Sequence, residues 1–169
     1  MNICVVGIGI EPLTFLSKLD HTFGASIIFD KMPLPKHAFD EEKKQWSSEK
    51  ILKALREENT NRIHADKILG ITDVDISAKG MNFIFGLSEI GGKISMISIH
   101  RYHPELYGKT KQGLFESRTL KEAIHEIGHS FGLQHCNNKC VMHFSRTIED
   151  VDKKPFEFCK ECTKQLALI

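Results

Sequence analysis

The stretch Thr119–Met142, TLKEAIHEIGHSFGLQHCNNKCVM, carries three histidines at fixed intervals. His125 and His129 stand four residues apart, which on a helix is roughly 40° around the axis, so their rings point the same way. Two imidazoles one turn apart fit a single ion at Zn–N distances of ~2.0–2.1 Å. Glu126 adjoins His125 and can face the same cavity without being a ligand, where it is placed to take a proton from a zinc-bound water. Gly132 then stops the helix in a left-handed conformation that a side chain would resist. The reversal lets His135 reach the same metal. Three protein ligands leave a fourth position open for water, the mark of a catalytic rather than a structural zinc. A bare HExxH arises by chance on amphipathic helices; Gly132 and His135 at their added spacings make incidental histidines a poor account. Thr119-x-x-Glu122 reads as a capping box and predicts a helix from about Leu120, burying Leu120, Ala123, Ile124, Ile127 and Phe131.

Cysteines follow at once. Cys136-x-x-x-Cys140 and Cys159-x-x-Cys162 make a four-thiolate set that suits a closed tetrahedral structural zinc. A pair of disulfides, isolated thiols, an iron–sulfur cluster and a redox pair at Cys159-x-x-Cys162 are the competing readings. A zinc here would clip the tail, Lys160–Leu168, onto the back of the histidine site and contribute directly to folding. The fifth cysteine, Cys4, sits in an apolar segment and reads as a buried small hydrophobe.

The chain has 169 residues, enough for one domain with a real core. The expected division is a subdomain over about 1–132 and a smaller one over about 133–169. A net charge of +1 argues against nucleic acid as a partner, including a zinc-ribbon role for the cysteines. No stretch approaches the ~20 apolar residues of a spanning helix. MNICVVGIGIEP lacks the basic start of a signal peptide, so a cytoplasmic location is expected.

Upstream, ICVVGIGI (Ile3–Ile10) reads as a buried strand, followed by a short helix near Pro12–Asp20 and a strand over Ser26–Asp30. Gly7-x-Gly9 with Asp30 imitates a dinucleotide fingerprint, but Pro12 replaces its third glycine. Lys31–Asp40 reads as a loop, Ser47–Glu58 as a helix capped by Ser47 or Ser48, and Lys67–Ile76, Met81–Gly86 and Lys93–His100 as strands. The last puts Ile94, Met96, Ser98 and His100 on one face and Ser95, Ile97 and Ile99 on the other. Residues 101–118 read as a long polar loop whose Tyr102, His103 and Tyr107 are candidate oxyanion donors. His37 and His64 read as surface residues. This order favours an α/β chain with a parallel sheet, crossover helices and one antiparallel neighbour.

With these residues in place the chain resembles the archaemetzincins, a branch of the metzincin zinc peptidases. The resemblance is carried by HEIGHSFGLQHC, Cys140-x-Met142 and Cys159-x-x-Cys162. It is dense over Arg118–Cys162, and looser over residues 1–60. It implies that His125, His129 and His135 bind a catalytic zinc, that Glu126 is the general base, and that the four cysteines bind a second zinc. Met142 would belong to a tight turn beneath the metal, and His143 would not be a ligand. Two spacings, between the first two cysteines and after the methionine, are one residue shorter than the family pattern. The implied fold is a mixed, mostly parallel five-stranded sheet with three to four helices and a small zinc-clamped C-terminal lobe. An antiparallel edge strand near Asn82–Gly86 would be able to pair with an extended peptide. The implied activity is hydrolysis of peptide or protein substrates, by an aminopeptidase or a peptidase of narrow specificity. The sequence does not give the oligomeric state, a monomer being the favoured expectation, and its charge and hydropathy favour neither membrane nor nucleic acid as partner. The alternative is a catalytically silent zinc-binding scaffold or interaction protein.

Overall fold

Alternating β-branched residues with both faces apolar favour strands buried on two sides, and the N-terminal run forms one, β1 (Asn2–Ile8). In the computed structural model, which describes residues 1–108, 111 and 113–167, a 3₁₀ turn and α1 (Leu19–Phe23) lead from it to β2 (Ser26–Met32). Two short strands, β3 (Phe39–Asp40) and β4 (Gln45–Ser47), precede α2 (Ser48–Glu58). Then come β5 (Lys67–Thr72), β6 (Ile76–Ser77), β7 (Gly86–Ser88) and β8 (Ile94–Ser98). The chain ends in α3 (Leu114–Ser130), α4 (Ile148–Lys153) and α5 (Lys160–Leu166).

The main sheet has five strands in the order β2-β1-β5-β8-β7. β2, β1, β5 and β8 are parallel, and β7 lies antiparallel at the edge. A second, three-stranded sheet orders β3-β4-β6. Period-two alternation divides the core. Ile3, Val5, Leu69, Ile71, Ile97 and Ile99 face the layer containing α3, whereas Cys4, Val6, Ile8, Ile68, Ile94 and Met96 face the layer containing α2. The split expected for the last strand is observed for Ile94 and Met96 against Ile97 and Ile99, but β8 ends at Ser98 and His100 lies in a 3₁₀ turn; Cys4 is buried as expected. No helix among the described residues is long and apolar enough to cross a membrane.

Several boundaries differ from expectation, each for a local reason. β2 runs on to Met32, into the stretch read as a loop. The strand expected over Lys67–Ile76 breaks after Thr72, because Arg101 and Gln45 take the Asp75 carboxylate while Ile76 joins Trp46 in the second sheet. The edge strand is Gly86–Ser88 rather than Asn82–Gly86. Phe83 packs edge-on to Phe85 and under the Arg101 guanidinium, which holds 82–85 as a crossing segment. Ser47 is the cap of α2, accepting from Lys50 N at 3.3 Å.

The largest difference is in α3. It starts at Leu114, not Leu120, behind Gly113. Thr119 is inside the helix and donates to the Phe115 carbonyl at 2.8 Å instead of capping. Part of the expected 101–118 loop is thus helix, and two 3₁₀ turns occupy His100–Tyr102 and Pro104–Tyr107. Residues 109, 110 and 112 of that loop, and Leu168 of the expected tail, lie outside the described residues.

α3 is buried on every side from Lys121 to Ser130. Its polar groups are accordingly paired, as burial demands. Arg118 makes two bonds to Asp152, at 2.7 and 2.8 Å, and one to the Tyr102 carbonyl. Lys121 Nζ donates to the Val151 and Asp152 carbonyls at the end of α4.

Candidate metal centre and active site

The end of α3 places the histidines. Gly132 has φ +94, the Leu133 N–H donates to the Gly128 carbonyl, and the Gly132 N–H donates to the His129 carbonyl. That pairing is a Schellman stop, which satisfies the last carbonyls and turns the chain back. Lys67 Nζ, 2.6 Å from the Ser130 carbonyl, adds a cation where the helix dipole is negative. The turn brings His135 round to the two histidines of the helix.

His129 Nε2 lies 3.1 Å from His125 Nε2 and 3.3 Å from His135 Nε2. Three nitrogens sharing one tetrahedral zinc at ~2.0–2.1 Å stand about 3.3 Å apart, so the spacing fits that ion. The tautomers agree. His125 Nδ1 faces the Val141 carbonyl at 2.9 Å and His129 Nδ1 faces the Leu133 carbonyl at 2.7 Å. A carbonyl only accepts, so the protons sit on Nδ1 and leave the Nε2 lone pairs facing one another. Burial is the main cause that lowers the pKa of all three rings, and it takes His125 well below the usual histidine range. Neutral imidazoles are the form that ligates metal.

Glu126 lies beside this group and is 6% exposed. Burial pushes its carboxyl up to about 8, and a hydrogen bond from Ser88 acts in the opposite direction. Ser88 Oγ bonds Glu126 Oε2 and is also 2.9 Å from the Glu126 carbonyl. Opposite, a side chain on Gly86 would fall 2.5 Å from Glu126 Oε1. The carboxylate is therefore held between two residues of the edge strand β7. Glu126 is not part of the cluster whose ligand atoms all approach within 4.8 Å.

Beneath the helix, Met142 is fully buried, with its sulfur where a side chain on Gly128 would sit, 2.6 Å away. Its carbonyl accepts from Cys136 N at 3.0 Å. His143 points elsewhere, its Nδ1 3.1 Å from the Cys136 carbonyl. His37 and His64 are exposed.

The four cysteines converge as well. Their sulfurs lie within 4.8 Å of one another, and all are free thiols. Cys136 and Cys159 sulfurs are 3.7 Å apart, close to the ~3.8 Å between thiolates sharing a tetrahedral zinc at ~2.3 Å, and far beyond a disulfide bond. Backbone amides of Cys159 and Met142 point at Cys140 Sγ, at 3.2 and 3.5 Å. Donors of this kind stabilise a thiolate. Burial raises the Cys140 and Cys162 thiols, whereas the Cys162 amide, the main cause, lowers that of Cys159.

The histidines and Glu126 line a cleft of about 670 Å³, bordered by residues of 78–90 and by Gln134, His135 and Phe144–Arg146. The loop candidates Tyr102, His103 and Tyr107 do not line it. Tyr102 is buried, His103 faces Asp73, and Tyr107 donates to the Arg101 carbonyl. Several contributors escaped the sequence reading. Ser88 gave no motif signal. Glu122 and Lys154 form a buried ion pair, with Lys154 Nζ 3.4 Å from His125 Nδ1. Glu122 at one turn before Glu126 was the available clue, and it reads equally as a capping residue.

The chain has close relatives among known proteins. An archaemetzincin of Methanocaldococcus jannaschii is 44% identical over 98% of this chain and 93% of its own length. One from Pyrococcus furiosus is 40% identical over 97% and 91%. The crystal structure of archaemetzincin from Methanopyrus kandleri superposes with a TM-score of 0.85 at 30% identity, over 99% of this chain and 94% of that one. That from Archaeoglobus fulgidus gives 0.83 at 33%, over 98% and 99%. The profile of peptidase family M54 matches residues 20–168. With that match added to the two metal-ready clusters, the chain belongs to peptidase family M54, among the archaemetzincins, and is a zinc metallopeptidase.

Proposed function

We propose that the chain hydrolyses peptide bonds at a zinc held by His125, His129 and His135, with Glu126 as general base, and that Cys136, Cys140, Cys159 and Cys162 hold a second, structural zinc. The convergence of three Nε2 atoms beside a buried carboxylate carries this reading. A zinc there supplies Lewis acidity and lowers the pKa of water it holds towards ~7.

The chain's own residues do the rest. Glu126 takes the proton of the attacking water and delivers it to the leaving amine. Its burial beside the histidines and its hydrogen bond from Ser88 place it for both transfers. Ser88 and Gly86 fix its carboxylate, and Val141 and Leu133 carbonyls fix two rings, so the groups are oriented before substrate arrives. The free edge of β7 lies along the cleft and offers backbone groups to an extended peptide, which orients the scissile bond. An aminopeptidase or a peptidase of narrow specificity fits a cleft of this size. The proposed organisation is one catalytic domain, residues 133–169 being the zinc-clamped part, working as a monomer in the cytoplasm.

Glu126→Gln tests the role of the base. The variant is expected to bind zinc as the parent does and to lose ~10²-fold or more in kcat. A variant that keeps both zinc and full rate removes Glu126 from the mechanism.

A further inference from the structure

The segment after Met142 adds groups to the cleft that the hydrolytic chemistry does not use. Phe144 packs on His135 with ring centroids 4.8 Å apart, so this segment starts beside the histidine cluster. Ser145 and Arg146 follow and line the same cavity. Two residues of chain span at most about 7 Å, so Arg146 stays close to the centre. Its guanidinium has no ion-pair partner among the described residues. Asp150, four residues on, is spent on backbone: it accepts from the Arg146 and Thr147 amides, both at 3.0 Å, as the cap of α4. Ser145 lines the cavity, and its Oγ is buried with no hydrogen-bond partner among the described residues. Buried hydroxyls are nearly always paired, so an orphan in a ligand cavity points to a group that arrives with the ligand.

The other charges of the lining do not compete for an anion. Glu122 is paired with Lys154, and Glu126 is held by Ser88. The wall is otherwise largely apolar, through Met81, Phe83, Ile90 and Phe144.

We infer that Ser145 and Arg146 form a carboxylate-recognising subsite of the cleft, so that the substrates are peptides with apolar side chains beside the scissile bond and a carboxylate within a residue or two of it. This rests on the peptidase reading and names its substrate class. A guanidinium presents a planar fork of donors that matches a carboxylate in two parallel bonds, and the Ser145 hydroxyl adds a third donor. A peptide has two sources for that group, its own C-terminus or an Asp or Glu side chain.

The test is calorimetric titration of zinc-loaded Glu126→Gln protein with two peptide pairs of one apolar sequence: free C-terminus against C-terminal amide, and internal Glu against Gln with the C-terminus amidated. At least one carboxylate peptide is expected to bind about tenfold or more tightly than its neutral partner, on the usual strength of charge-assisted bonds. The pair that shows the preference identifies the source. Adding Arg146→Gln should bring the ratio to near one, and Arg146→Lys should recover part of it. Equal binding within both pairs overturns the subsite. So does a preference that survives Arg146→Gln, since the carboxylate would then be meeting the metal. Hydrolysis of none of the four peptides by the unsubstituted chain, with the binding preference intact, would contradict the peptidase reading and still support the subsite.

Discussion

Gly86 decides where Glu126 can stand. Added carbon there would fall 2.5–2.7 Å from the Glu126 carboxylate and Cγ, closer than non-bonded atoms tolerate. The Gly86 backbone is fixed by its pairing with Ile97 in the sheet, so the side chain that yields is Glu126. Gly86→Ala is therefore expected to leave zinc content and fold intact and to lower kcat by about 10²-fold, as for a group misplaced by an ångström. Unchanged kcat with a relocated carboxylate would show that its position is not limiting. Comparable constraints explain what was legible at this scale. His125, His129, His135 and the four cysteines announce themselves by spacing, because a metal fixes the separations of its ligands along a helix and a turn. Ser88, Gly86 and Lys154 reach the site across the fold, and a contact between residues 38 apart, such as Ser88 with Glu126, leaves no local pattern.

At the scale of elements, the helix bearing the site is fixed by its N-terminal half. Arg118 is fully buried, bound to Asp152 of α4 and to the Tyr102 carbonyl, with its guanidinium over the Tyr107 ring. Breaking a buried pair by removing one partner leaves the other charge uncompensated and costs about 3–5 kcal/mol. Asp152→Ala should therefore destabilise the protein by roughly 3 kcal/mol in denaturant titration, because Asp152 is itself partly exposed. A loss below about 0.5 kcal/mol, the size of an ordinary surface change, would make the pair incidental. The strands were readable because both faces of the parallel sheet are apolar, and the strand cores appear where the β-branched runs predict them. The start of α3 was not. Thr119-x-x-Glu122 looks like a capping box, yet Thr119 bonds back to Phe115 and Glu122 pairs with Lys154, and both partners depend on tertiary contacts. The edge strand shifted for the same kind of reason, since Arg101 over Phe83 holds the preceding residues away from the sheet.

Over the whole molecule the two metal-ready clusters share one short connection. His135 precedes Cys136, whose amide donates to the Met142 carbonyl, and the Val141 carbonyl accepts from the His125 ring. Loosening the cysteine cluster should loosen the histidines. Cys162→Ser is expected to weaken zinc at the histidine centre by tenfold or more, the usual effect of losing support behind a ligand; unchanged affinity there would make the centres independent. The central claim is that each cluster holds its own zinc and that the histidine one is catalytic. Native mass spectrometry of the chain and of His135→Ala tests it most directly. Two zinc ions in the parent and one in the variant, with hydrolysis lost, is the predicted result. A single zinc, retained when His135 is removed, would contradict it.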